Sequence, residues 1–184
     1  KDPCKGVSIK FDVNILTKDI LTMDEIRRMM ITHYPGENLM IRRAFLFSCF
    51  TGIRKCDIER LTYSNIDFTT MTLRFNQKKI EWRSAHSGVT MPLNEHLMKL
   101  IGDLPEDRST LIFPLTSEGR TIYRHLYKWT RAAGINKHIT WHCSRHSFAV
   151  NILDNGADIK TVSSLMGHAS LKMTEKYLHV VDSR

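Results

Sequence analysis

The sequence is poor in the features that mark several protein classes. Its 184 residues hold four cysteines, Cys4, Cys49, Cys56 and Cys143, and no two of them form a C-x-x-C pair. That argues against a zinc ribbon and against a disulfide-built scaffold. All four are read as reduced thiols of a cytosolic protein, with Cys49 inside an apolar run. His142, His146 and His168 lack the acidic or thiol partners that a zinc signature needs, so no metal and no cofactor is expected. No apolar run reaches the length of a membrane span, and Lys1-Asp2-Pro3-Cys4-Lys5 leads into nothing like a signal peptide. The chain does not open on Met, which is read as the mark of a fragment or processed product. Internal repeats and low-complexity stretches are also missing.

What is present is base. Lys and Arg number 27 against 19 Asp and Glu, a net charge of +8, and a surplus of that kind suits a polyanionic partner. Hydrophobic residues at 42% allow one buried core in a chain of this length.

Periodicity predicts a mostly α chain with a small antiparallel β-sheet (α+β). Residues 1–17, without clean periodicity, read as a linker, and 18–184 as one domain. Thr22 and Glu25 form a capping box for a helix carrying Ile26, Met29 and Met30 and ending near Pro35-Gly36. A second helix is predicted from about Glu37 to Phe50, apolar on nearly all sides over Ala44–Phe50. Thr51-Gly52-Ile53-Arg54 interrupts it, and a short helix with Ile58 and Leu61 follows. Ile66, Phe68, Met71, Leu73 and Phe75 alternate, as do Val89, Met91 and Leu93, predicting two or three strands around a basic tip at Asn76–Arg83. Further helices are predicted from Asn94 to Ile101, over 121–133, over 143–154, from Asp158 to Met166, and from Ser170 through Tyr177.

Four separated places hold side chains suited to phosphoryl transfer. A tyrosine attacking a phosphodiester needs fixed positive donors around a phosphorus that gains negative charge. Arginine supplies a charged planar fork, and a lysine can protonate the departing 5′ oxygen. The sequence has Arg54 at a break, Lys78-Lys79 at the sheet edge, His142-Cys143-Ser144-Arg145-His146 at a helix start, and Gly167-His168 nine residues before Tyr177. Taken singly, each has a bland reading. Arg54 is an exposed arginine, His142 a helix-start histidine, His168 a turn residue, Tyr177 a half-buried core residue, and the lysines a solvated tip.

Together they carry a resemblance. Thr51-Gly52-Ile53-Arg54-Lys55-Cys56-Asp57-Ile58-Glu59-Arg60-Leu61, His142-Cys143-Ser144-Arg145-His146-Ser147-Phe148-Ala149, Leu165-Met166-Gly167-His168-Ala169-Ser170 and Thr174-Glu175-Lys176-Tyr177-Leu178 resemble, in order, the signatures of tyrosine recombinases and phage-type integrases. The flavour is that of mobile-element integrases of Bacteroides-type bacteria, and the resemblance implies that 18–184 is the catalytic domain and 1–17 the linker from an N-terminal DNA-binding region outside the chain. The resemblance implies that Arg54 and Arg145 clamp the scissile phosphate, with His142 beside it and His168 donating to a phosphate oxygen. Lys79 would be the general acid, with Lys78 as second choice because Ile80 departs from the small residue usual there. Tyr177 would form the 3′-phosphotyrosyl link. Asp57, where the family usually has Glu, would support the site by hydrogen bonds. Lys78, Arg42, Arg43 and Arg124 are candidate DNA contacts, and His146 is read as structural or as a weak neighbour of the site.

The implied activity is site-specific cleavage and rejoining of double-stranded DNA for integration or excision of a mobile element, without metal or cofactor. The implied assembly is a homotetramer on paired sites, monomeric when free, with accessory DNA-bending proteins as compatible partners and the bacterial cytoplasm and nucleoid as the setting. Two alternatives stay open at this point. A DNA-binding module without catalysis would keep every DNA-dependent activity after Tyr177→Phe, since helix-Gly167-helix looks like a helix-turn-helix. A type IB topoisomerase would relax plasmids without recombining them.

Overall fold

A computed structural model describes residues 18–78, 88–115, 119–168 and 170–182. The described elements are α1 (Met23–Ile31), α2 (Leu39–Thr51), α3 (Lys55–Ile58), a 3-10 turn (Tyr63–Asn65), β1 (Ile66–Asp67), β2 (Thr72–Asn76), β3 (Gly88–Pro92), α4 (Glu95–Ile101), α5 (Gly119–Ala132), α6 (Trp141–Asp154), α7 (Ile159–Met166) and α8 (Lys172–Asp182). The three strands pair antiparallel in the order β1-β2-β3. Leu73 faces Ile66 on one side and Met91 on the other, and Asn76 faces Gly88. The expected α+β class is what forms.

Helix α2 is the axis of the core. Its Ile41, Ala44, Phe45, Leu46 and Phe47 are all buried. Each of the larger side chains, Ile41, Phe45, Leu46 and Phe47, contributes roughly 1.5–3 kcal/mol of burial. Phe45 packs edge-on to both Trp129 of α5 and Trp141 of α6. Where α2 meets α6 the contact uses small residues, and the Ser48 and Ser144 hydroxyls lie 2.6 Å apart. A second cluster joins Ile20, Phe148, Val150, Leu153, Val162, Met166 and Tyr177, tying α6, α7 and α8 together.

Several boundaries differ from the sequence expectation for local reasons. Helix α1 stops at Ile31, short of Pro35, because the Thr32 amide turns back to the Arg28 and Met29 carbonyls. Helix α2 starts at Leu39 because the Asn38 side chain accepts from the Met40 amide. Helix α3 ends at Ile58, leaving Leu61 outside it. Helix α6 starts at Trp141, two residues earlier than expected, after an extended Thr140 whose amide donates to Cys143 Sγ at 3.3 Å. That shift puts His142 in the first turn. Helix α8 begins at Lys172 and runs past Tyr177 to Asp182.

Candidate active site

Two arginines from distant parts of the chain are linked through a glutamine amide and one backbone carbonyl. Arg54 stands at the start of α3 in an extended conformation, two residues after the left-handed Gly52 that ends α2. Gly52 is needed there twice over: its φ is +69°, and a Cβ would collide with the Phe148 ring. Arg145 projects from α6 and is only 3% exposed. Its Nη1 donates to the Gly52 carbonyl at 2.5 Å and its Nη2 to the Met166 carbonyl at 2.7 Å. The same Met166 carbonyl accepts from Gln77 Nε2 at 3.0 Å, and Gln77 Oε1 accepts from Arg54 Nη1. A closed circuit therefore links Arg54, Gln77, Met166, Arg145 and Gly52.

The circuit leaves charge uncompensated. Arg145 is bonded to carbonyl dipoles, and no ion pair to a carboxylate is formed by it among the described residues. Burial first, then the neighbouring Arg54 charge, draws its pKa down to about 9, so it remains cationic at neutral pH. A buried cation costs free energy unless paired, and an arriving anion would relieve that cost.

Tyr177 lies within this field. It is 1% exposed, and its hydroxyl is 2.8 Å from His146 Nδ1. Burial pushes the phenol up to about 12, against the pull of Arg145 and Arg54. His168 stacks on the Tyr177 ring with centroids 6.4 Å apart, and its Nδ1 is 2.7 Å from Thr174 Oγ1. His142 sits edge-on to His146, centroids 4.5 Å apart. The ammonium of Lys176 lies 5.1 Å from the centre of the Tyr177 ring. Desolvation first, then surrounding cations, lowers His142 to about 4 and both His146 and His168 to about 3. All three rings are therefore neutral at pH 7. In the tautomer that carries its proton on Nε2, His146 Nδ1 accepts from the phenol.

Asp57, also 3% exposed, accepts from the Lys78 amide at 2.8 Å and so holds the base of the β2–β3 connection. Arg54, His142, Arg145, His168 and Tyr177 are thus one cluster, drawn from the α2–α3 junction, α6, the α7–α8 turn and α8. Residues 19–184 match the phage integrase family. The chain belongs to that family.

Among its curated relatives in the family are tyrosine recombinase XerC of Syntrophus aciditrophicus, 26% identical over 178 residues, and tyrosine recombinase XerD of Oceanobacillus iheyensis, 30% identical over 178 residues. The matches cover 90% of this chain but 57% and 59% of those two proteins. The chain therefore spans less than two thirds of their length. In fold it is similar to the Tn1549 transposon integrase, solved in complex with transposon right-end DNA. That likeness has a TM-score of 0.69 at 18% identity, over 88% of this chain and 62% of that one.

Not every candidate joins the cluster. Arg42 and Arg43 sit near the start of α2, roughly 12–14 Å along the helix from the Thr51 end that precedes Arg54. Arg42 donates to the Met30 carbonyl at 2.6 Å and lies over Trp129, while Arg43 Nε donates to the Leu100 carbonyl at 2.7 Å. Each guanidinium is thus held by a backbone carbonyl of its own chain, away from the cluster. Arg124 is exposed on α5. Lys78 is exposed, whereas Lys79 lies outside the described residues. Sequence reasoning missed Gln77, Lys176 and Thr174 and underrated His146. The signal for His146 was its place four residues after His142, on one face of a helix.

Proposed function

We propose that this chain is the catalytic part of a tyrosine-type site-specific DNA recombinase, serving integration or excision of a mobile element. The observation that carries the reading is the pair Arg54 and Arg145, bridged through Gln77 and the Met166 carbonyl, with Tyr177 in their field.

In this reading the scissile phosphate binds between the two guanidiniums, displacing or sharing their present acceptors. The phenol oxygen of Tyr177 attacks phosphorus and gives up its proton to the neutral His142, the bond to the 5′ oxygen breaks, and Lys79 gives that oxygen its proton. The DNA 3′ end is left as a phosphotyrosine. A second 5′-hydroxyl reverses the step on the new strand, so the diester energy is retained and no nucleotide or metal is consumed. His168, neutral at pH 7, serves as a hydrogen-bond donor to a phosphate oxygen, and His142, neutral before the step, is free to accept a proton or a hydrogen bond. In its present position Tyr177 is too buried to reach a duplex, so attack requires α8 to shift and the contact with His146 to open. Double-stranded DNA is the partner in this reading, in keeping with the transposon right-end DNA held by the Tn1549 integrase, and a tetramer on two duplexes is the assembly proposed.

The test is a nicked suicide substrate resolved on a denaturing gel. The chain, and the longest natural chain containing it, should yield a slow-migrating protein–DNA band that Tyr177→Phe abolishes. DNA binding without that band in either chain would defeat the proposal.

A further inference from the structure

The sequence reading assigned nothing to Gln77, yet it is among the most constrained polar side chains of the site. It is 2% exposed and follows β2 directly, at the base of the connection that carries Lys78. Both ends of its amide are used: Oε1 takes a proton donor from Arg54, and Nε2 donates to the Met166 carbonyl at 3.0 Å. The next amide along, that of Lys78, is held by Asp57 at 2.8 Å. Two successive residues therefore pin the base of this connection to the arginine on one side and to the α7–α8 turn on the other.

Gly167 reports the same constraint from the facing side. Its φ is +58°, and a Cβ there would overlap the Gln77 amide nitrogen. The turn before His168 is thus shaped around the glutamine as well as around its own backbone.

We propose that Gln77 is a positioning residue for strand cleavage: it aims Arg54 at the phosphate that Arg145 also binds, and so acts through Arg54. The proposal rests on the recombinase reading above. Only a side chain with an acceptor and a donor on one planar end fills the place. A carboxylate would face the Met166 carbonyl with a second acceptor and would hold Arg54 in an ion pair, competing with the phosphate. An apolar side chain of the same length would leave the Arg54 guanidinium free to swing.

Two readouts test this. The first is single-turnover cleavage by wild type, Gln77→Met, Arg54→Lys and the double variant. Misaiming a clamp costs on the order of tenfold to a hundredfold in rate. Gln77→Met should therefore be slowed at least about tenfold in the wild-type background and less than about twofold in the Arg54→Lys background, because coupled residues are non-additive. A substrate with a 5′-thio leaving group should not rescue it, since the lesion is not in proton donation. The same loss in both backgrounds, thio rescue, or wild-type rates in Gln77→Met would each overturn the proposal.

The second readout is the ¹⁵N signal of the Arg54 guanidinium, which should change from a held to a freely rotating group in Gln77→Met. An unchanged signal would overturn the assignment. Because this readout needs no activity, it still decides the matter if wild type forms no adduct, in which case the recombinase reading fails on its own account. If Gln77→Met does not fold, Gln77→Glu takes its place. It should lose at least as much rate as predicted for the methionine, and a Glu variant as fast as wild type would count against the proposal.

Discussion

At the scale of single residues, the account turns on protons. His146 and His168 are held as neutral imidazoles by burial and by nearby cations, with pKa values of about 3 against an ordinary 6.5. The unfolded chain binds those protons more readily, so below pH 6.5 it gains protons that the folded chain does not. Stability should be full above about pH 6.5 and should fall as pH drops from there toward about 3. His142 is the most exposed of the three, so the argument rests on the other two. Urea midpoints at pH 7.5 and pH 5 check this: the midpoint should fall at the lower pH, and fall less in His146→Gln. An identical drop in the variant would exclude His146 as a contributor. Removing the imbidazole altogether leaves a buried phenol hydroxyl without its partner, so His146→Ala should lose about 1–3 kcal/mol in the same experiment at pH 7.5.

The general acid is also a residue-scale matter. Lys79→Ala should be slow on ordinary DNA and restored by a 5′-thio leaving group, whose sulfur needs no proton. Rescue of Lys78→Ala in its place would transfer the role to Lys78.

At the scale of elements, helix caps were the most legible part of the sequence. Thr22 with Glu25, Asn94 and Asp158 each cap the helix expected of them, because capping depends on a few neighbouring atoms. The start of α6 was read two residues late because Cys143, a weak sulfur acceptor, does not look like the partner of a cap. Strand β1 is only two residues long, since the Asp67 carboxylate accepts from the Thr69 and Thr70 amides and turns the chain.

The four chemical boxes were legible as residue types in order. The burial of Tyr177 was not, because it arises from α8 packing on α6 and α7, a contact that no local pattern encodes. Gln77 was hidden for the same reason: its partners lie 23 and 89 residues away. The junction of α2 and α3 offers an element-scale test. Gly52→Ala imposes a left-handed conformation worth roughly 1–2 kcal/mol on a residue with a Cβ. It also drives that Cβ into Phe148. A loss of about 2 kcal/mol or more by denaturation, with cleavage impaired because the Gly52 carbonyl anchors Arg145, is the expected outcome.

At the scale of the whole molecule, the net charge of +8 finds a surface. Arg120, Arg124, Lys128 and Arg131 recur along α5 beside the exposed rings of Tyr123 and Tyr127, while Ile122, Leu126 and Trp129 face the core. Arg124 therefore stands on a basic, aromatic helix face where Arg42 and Arg43 do not. Replacing Arg124 and Lys128 with alanine should weaken binding to duplexes of any sequence. If each touches one phosphate, the slope of log K against log salt should shrink by about 0.9 per lost contact. An unchanged slope would move the DNA track off α5.

The most direct measurement asks which atom takes the phosphate. Adduct trapped on a suicide substrate is digested with nuclease and trypsin, and the peptide that retains the nucleotide is sequenced by mass spectrometry. The account predicts the nucleotide on the phenol oxygen of Tyr177, in the peptide that follows Lys176. A nucleotide carried by any other side chain, or bound DNA with no modified peptide, would contradict it.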